Sequence, residues 1–147
     1  MDAIIDSTAT QFVVFRLDDE EYGVNIRKVT TIEKLMTIAR VPKTPDYVKG
    51  VINLRGEIIP IMDLRTRLKM AAIEETDDTR IIIIRIDDIS LGIIVDAVME
   101  VLQLDENSIE SISGMSNDSE MDYIYGVGKV CDRIVTLLNI EKLIKIC

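Results

Sequence analysis

The sequence contains no histidine. That removes the usual general base near neutral pH, the commonest zinc ligand, and any His-paired serine or cysteine nucleophile. Only 4% of residues are aromatic, which leaves few rings for stacking nucleic-acid bases. The formal net charge is −9, with 17 Lys and Arg against 26 Asp and Glu, and no dense basic block interrupts the acidic excess. Such a chain is repelled by phosphate backbones, so nucleic acid is not an expected partner. Its two cysteines, Cys131 and Cys147, form neither a CxxC motif nor a disulfide framework. No stretch approaches the roughly 20 apolar residues of a membrane span. The opening MDAIIDSTAT has no basic region and no long apolar run, unlike a signal peptide. A cytoplasmic, reducing location is expected, without insertion into a membrane.

What is abundant is apolar: 48% of the 147 residues, ample for a core. Much of it is duplicated. FVVFRLDDEEYGVNI (12–26) aligns without a gap to IIIIRIDDISLGIIV (81–95). Arg16 meets Arg85, Asp18-Asp19 meets Asp87-Asp88, and Gly23 meets Gly92. Each segment reads as strand, acidic turn, strand. Further along, Val29 and Ile32 meet Val98 and Val101. YVKGVINLRGEIIPIMDL (47–64) then aligns to YIYGVGKVCDRIVTLLNI (123–140), pairing Tyr47 with Tyr123, Gly50 with Gly126 and Ile58 with Ile134. Two copies of one β-rich unit follow, at 12–64 and 81–140. Short strands with turn signals between them predict a small barrel or sandwich per copy. Units of this size bury marginal cores and gain by packing together.

Helices are expected to be few and short. Asn25 or Thr30 is placed as the cap of a turn through Lys28–Glu33, and Asp63 as the cap of a helix in DLRTRLKM. Asn139 is placed before a helix in NIEKLIKI, and 72–80 as the linker between copies.

No chemistry of catalysis or cofactor binding emerges. Asp18-Asp19-Glu20-Glu21 and Asp87-Asp88 lack the alternating ligands and central glycine of a calcium loop, so they read as turn residues. Tyr125–Lys129 has tyrosine where a phosphate loop needs its first glycine, at 123. Cys131 has no base in sequence to activate it, and reads as an ordinary thiol. No catalytic residue, metal site or cofactor is expected. Interaction surfaces remain. KGVINLRGEIIPIMDLRTRL (49–68) places Arg55 at a hairpin tip, beside a strand apolar on both faces and interrupted by Pro60. One face is expected to line its own barrel and the other to meet the partner barrel, with Pro60 at an edge or bulge. Met115, in a polar loop, suits an adaptable contact.

YGVNIRKV (22–29), KGVINLRGEIIPIMDLR (49–65), LGIIVDAVMEV (91–101) and LLNIEKLI (137–144) resemble the CheW family of bacterial chemotaxis coupling proteins. The resemblance covers roughly residues 11–144, and NLRG followed by IPIxDLR is its specific part. It implies one domain, 1–147, made of two small five-stranded SH3-like β-barrels, at about 12–70 and 80–140, with terminal segments packing across. It implies a non-enzymatic adaptor that couples the cytoplasmic tips of methyl-accepting receptors to the regulatory domain of the histidine kinase CheA in a receptor array. A CheW-like adaptor for a non-chemotaxis kinase pathway is the alternative. By the same resemblance Val29, Arg55, Gly92, Val98 and Val101 are receptor-binding candidates. Gly50 and Met115 are candidates for kinase or ring contacts. Family members often carry an acid where Thr31 stands, which leaves the acidic partner of Arg55 open, with Glu33 two residues on. They also often have a longer helical tail beyond the position of Cys147, so any role of that tail is expected to be absent or reduced.

Overall fold

The structure, a computed structural model, describes residues 9–111 and 123–143. Within them four hairpins close through two-residue turns. The first turn residue is left-handed in each: Asp18 (φ 54°), Arg55 (φ 53°), Asp87 (φ 55°) and Cys131 (φ 54°). That conformation matches the twist of the flanking strands. The hairpins are β1 (Thr10–Leu17) with β2 (Glu20–Asn25), β4 (Val48–Leu54) with β5 (Glu57–Asp63), β6 (Arg80–Ile86) with β7 (Ile89–Val95), and β10 (Ile124–Val130) with β11 (Arg133–Leu138). Single strands β3 (Val29–Lys34), β8 (Ala97–Leu104) and the two-residue β9 (Ile109–Glu110) complete the β structure.

Asp18-Asp19 and Asp87-Asp88 are turns, as expected, whereas Glu20 and Glu21, also read as turn residues, begin β2 and pair with Leu17 and Arg16. Asp63 caps α1 (Leu64–Arg67), its Oδ1 accepting from the Arg65 N–H at 3.1 Å. Asn139 precedes α2 (Ile140–Leu143). The turn placed at Lys28–Glu33 is corrected. A 3₁₀ turn occupies Ile26–Lys28, capped by the Asn25 side chain, and Val29–Lys34 is strand. Val29-Thr30-Thr31-Ile32 is wholly β-branched, which favours the pleated state.

The duplication extends to irregularities that no residue type announces. The β3–β6 pairing skips Thr30, and the β1–β8 pairing skips Met99 at the matching position. β4 skips Lys49 and β10 skips the matching Tyr125. β4 and β10 also bury the same positions along their length.

The strands form a six-stranded sheet, β8-β1-β2-β11-β10-β9, and a five-stranded sheet, β3-β6-β7-β5-β4. The sheets cut across the halves 12–70 and 80–140, because each takes a hairpin from both. Two parallel contacts make the exchange: β2 beside β11, with Gly23 opposite Leu137, and β5 beside β7, with Gly92 opposite Ile61. Glycine permits it, since a Cβ at Gly92 would lie 2.5 Å from Ile61 Cδ1 and one at Gly23 2.9 Å from Leu137 Cδ2.

The apolar strands serve two cores. On β1, Val13, Phe15 and Leu17 enter a shared core between the sheets, while Phe12 and Val14 enter the core of the six-stranded sheet. On β6, Ile82 and Ile84 enter the shared core, and Ile81 and Ile83 that of the five-stranded sheet. β5 departs from the expected pattern. Ile59 and Ile61 face its own core and Met62 the shared one, but Ile58 and Pro60 are exposed. Pro60 pairs with Val51 on β4, and the pairing with β7 begins only at Ile61, so its missing N–H falls on a free edge.

Candidate functional site

The β4–β5 tip is built by its turn. Asn53 Oδ1 accepts from the Gly56 N–H at 2.9 Å, and Gly56 takes φ 90°. This leaves the Arg55 side chain 75% exposed, with Nη2 4.0 Å from Glu33 Oε2 on β3. Glu33 is only 17% exposed, and the Thr31 hydroxyl donates to the same oxygen at 2.9 Å. The acid is therefore not lost where Thr31 stands. It lies one inward-facing position further along the strand, buttressed by Thr31. The second copy has nothing comparable, since Cys131 occupies the tip and Leu102 matches Glu33.

The valine candidates separate into two kinds. Val29 and Val98 are half-buried and pack on the shared core, so β3 and β8 flank the seam between the sheets. Val101 is 48% exposed, and Ile32 at the matching position is 39% exposed. Gly92 is buried among Ile61, Ile81 and Ile83. It shapes the five-stranded sheet and presents no side chain to a partner. Gly50 (φ 146°) is constrained differently. A Cβ there would lie 2.1 Å from the Ala39 carbonyl oxygen. Ala39 and Val51 exchange two backbone hydrogen bonds of 2.8 Å, which bring the chain leaving β3 onto β4. Met115 lies outside the described residues.

Two features went unread in the sequence. Ile58, beside the Arg55 tip, is 60% exposed, and its counterpart Ile134 is 62% exposed. The molecule thus carries two matching apolar spots, one per sheet. Their match was legible; their exposure was not, because alternation alone does not say which outer face is covered.

The second feature is Arg65, buried at the start of α1. Its Nη1 lies 2.8 Å from both Asp18 Oδ1 and Asp96 Oδ2, and its Nε donates to the Ala71 carbonyl at 2.8 Å. The Asp18 N–H also donates to Asp96 Oδ2 at 2.8 Å. Burial alone would lower the pKa of this guanidinium, but Asp18 and Asp96 outweigh it and the net shift is upward. Arg65 so ties the first hairpin to the corner that launches β8. Arg65→Ala would strand the Asp96 carboxylate, whose side chain is 10% exposed. The expected loss is about 2–4 kcal/mol, kept toward the low end because Asp18 is half exposed. Urea denaturation checks it, and a loss below about 1 kcal/mol would make the triad a surface pair.

On the outer face, Arg133 pairs with Glu21 and Glu100, linking β11, β2 and β8. These carboxylates, Glu21 foremost, raise its pKa further. Burial and the neighbouring Glu20 raise the Tyr22 pKa to about 12, so the phenol stays protonated. Among the described residues no group of three or more His, Cys, Asp or Glu is placed to hold a metal ion. Nor is any helix among them long and apolar enough to cross a membrane.

Comparison with known proteins gives consistent matches. A family model described as CheW-like domain matches residues 11–146. A chemotaxis protein CheW from Helicobacter pylori is 36% identical over 135 residues, covering 92% of this chain and 81% of the relative. One from Bacillus subtilis is 38% identical over 133 residues, covering 90% and 85%. The solved structure of the scaffolding protein TtCheW from Thermoanaerobacter tengcongensis superposes with a TM-score of 0.85 at 37% identity, covering 93% of each chain.

Proposed function

The chain belongs to the CheW-like domain family, and from that premise we propose that it is a chemotaxis scaffold without catalytic activity. In this reading it couples methyl-accepting receptors to the histidine kinase CheA, and is drawn to the membrane through those partners. The observation that carries the reading is the family match across nearly the whole chain, specific motif included. The asymmetry of the tips supports the finer assignment. Arg55 with Glu33 marks one copy, on a scaffold otherwise duplicated down to its bulges.

The receptor surface in this proposal is the seam flanked by β3 and β8. Val29 and Val98 form its floor, Val101 an exposed contact, and Arg55 a charged rim. Gly92 acts only through the shape of the sheet beneath. The outer spots at Ile58 and Ile134 suit barrel-to-barrel docking on two sides. Each presents a large apolar side chain to solvent at the matching point of its sheet. Gly50, at the base of the β4–β5 hairpin, and Met115 belong to the same kinase or ring contacts.

The test is CheA autophosphorylation with receptor-containing membranes, with and without this protein. Strong activation that attractant suppresses is the expected result. No effect, with kinase and receptors from the same organism, would overturn it in favour of a non-chemotaxis kinase pathway.

A further inference from the structure

The connection from β3 to β4 reverses the charge of the rest of the chain. Residues 34–49 carry the cations Lys34, Arg40, Lys43 and Lys49 against a single acid, Asp46, in a protein of net charge −9. Spread along the sequence, they do not read as a basic block. The fold gathers three of them, since Arg40, Lys43 and Lys49 line one open groove of about 760 Å³. Val41, 41% exposed, and the rings of Pro42 and Pro45 give the same groove an apolar wall.

The groove is held in shape by its own backbone. Ala39 exchanges its two bonds with Val51 at one end. The Thr44 hydroxyl donates to the Val41 carbonyl at 3.2 Å, and the Val48 N–H donates to the Pro45 carbonyl at 3.0 Å. The two prolines fix φ at their own positions. Order of this kind lowers the entropic cost of binding a partner. Lys43 stands at φ 62° directly after Pro42, at a corner where turns usually place glycine or asparagine. The position therefore carries a cation that the backbone does not ask for.

These cations are not used up inside the molecule. Among the described residues neither Arg40 nor Lys43 pairs with a carboxylate, and Lys49 approaches Asp63 only to 3.9 Å. The rim also carries Asp46 and Glu75, which oppose a compact, highly charged anion such as phosphate. The apolar wall gives such an ion nothing to bind, and the acidic chain repels nucleic acid. An acidic peptide satisfies every part: carboxylates meet Arg40 and Lys43, and apolar side chains meet Val41 and the prolines. The volume lies within the span of about 300–1,000 Å³ usual for binding sites.

We propose that the groove on the β3–β4 connection is a docking site for an acidic, partly apolar segment of a partner protein, anchored by Arg40 and Lys43. It uses none of the residues assigned above to a receptor or to the kinase, and does not depend on that assignment.

Selection of a displayed library of random peptides on the immobilised full-length protein provides the test. The retained peptides should be enriched in Asp and Glu beside apolar residues. The best retained peptide, added to isotope-labelled protein, should shift amide signals within residues 40–49. It should bind the double variant Arg40→Glu, Lys43→Glu at least about tenfold more weakly. Lys43→Gly removes one charge while suiting the left-handed corner, so it should weaken binding without lowering Tm. That variant keeps the test open if the double variant folds poorly. A retained pool with no acidic enrichment, equal binding by the variants, or shifts confined to other residues would overturn the proposal. So would equal shifts from inorganic phosphate at the same ionic strength, which would make the groove a site for small anions.

Discussion

Gly50→Ala is expected to lower stability by about 2–5 kcal/mol, combining a strained left-handed backbone with forced overpacking. The methyl group would sit 2.1 Å from the Ala39 carbonyl oxygen at φ 146°, and neither problem is relieved by a side-chain rotation. The neighbour is backbone, held by its pair of bonds to Val51. Ala39 would have to leave β4, taking with it the bridge that connects the two edges of the five-stranded sheet. A fall in Tm of about 10 °C is the corresponding signal for a chain of this size. Gly126→Ala is the internal control, since its added Cβ would lie 2.9 Å from the Glu110 carbonyl on the two-residue β9, and it should cost less. A Tm for Gly50→Ala within about 2 °C of the parent would show that the bridge is dispensable. The large expected loss also bears on partner binding. Any substitution at Gly50 that weakens kinase docking needs a melting curve beside it before the docking is called direct.

Arg55→Glu is expected to do the opposite, harming function and sparing the fold. Kinase activation in receptor membranes should fall at least about tenfold, equivalent to about 1.4 kcal/mol of coupling. The melt should stay within about 2 °C, because an exposed pair contributes under about 1 kcal/mol. The contact with Glu33 is long and the guanidinium is mostly in water. Arg55→Lys keeps the charge and should retain most of the activation. Full activation by Arg55→Glu would remove Arg55 from the receptor surface, and a large fall in Tm would make it structural instead.

How much of this was legible can be followed residue by residue. The repeat was, because Arg16 and Arg85, the two Asp-Asp turns and the paired glycines keep their spacing under any fold. So were the cap Asp63 and the position of Asn139 just ahead of α2, whose effects are local. The bulges at Thr30 and Met99 were not, since a skipped residue looks like any other strand residue until its partner strand is known. The exchange of hairpins between sheets was not, because β2 finds β11 across more than 100 residues and nothing local encodes the choice. Arg65 was missed for a similar reason. It stands in an amphipathic helix start, where arginine is normally solvated, and its two carboxylates arrive from distant turns. Of the candidate surface, the Arg55 tip was legible from its turn residues. The buried state of Gly92 and the shift of the acid from position 31 to Glu33 needed the folded chain.

The exchange of hairpins also sets a timetable for synthesis. When the ribosome has released residues up to Arg67, β3 and the β4–β5 hairpin are present, but the two strands that lie between them, β6 and β7, have not been made. β1 and β2 meanwhile wait for β11, which ends at Leu138. The nascent chain therefore holds its first two hairpins apart until their partner strands emerge, with long-range pairings of the kind that close slowly. The six-stranded sheet can close only once β11 has been made. Until β6 and β7 emerge, the isoleucine faces of β4 and β5 are open to chaperones, and a chain cut before β11 lacks the strand that β2 pairs with.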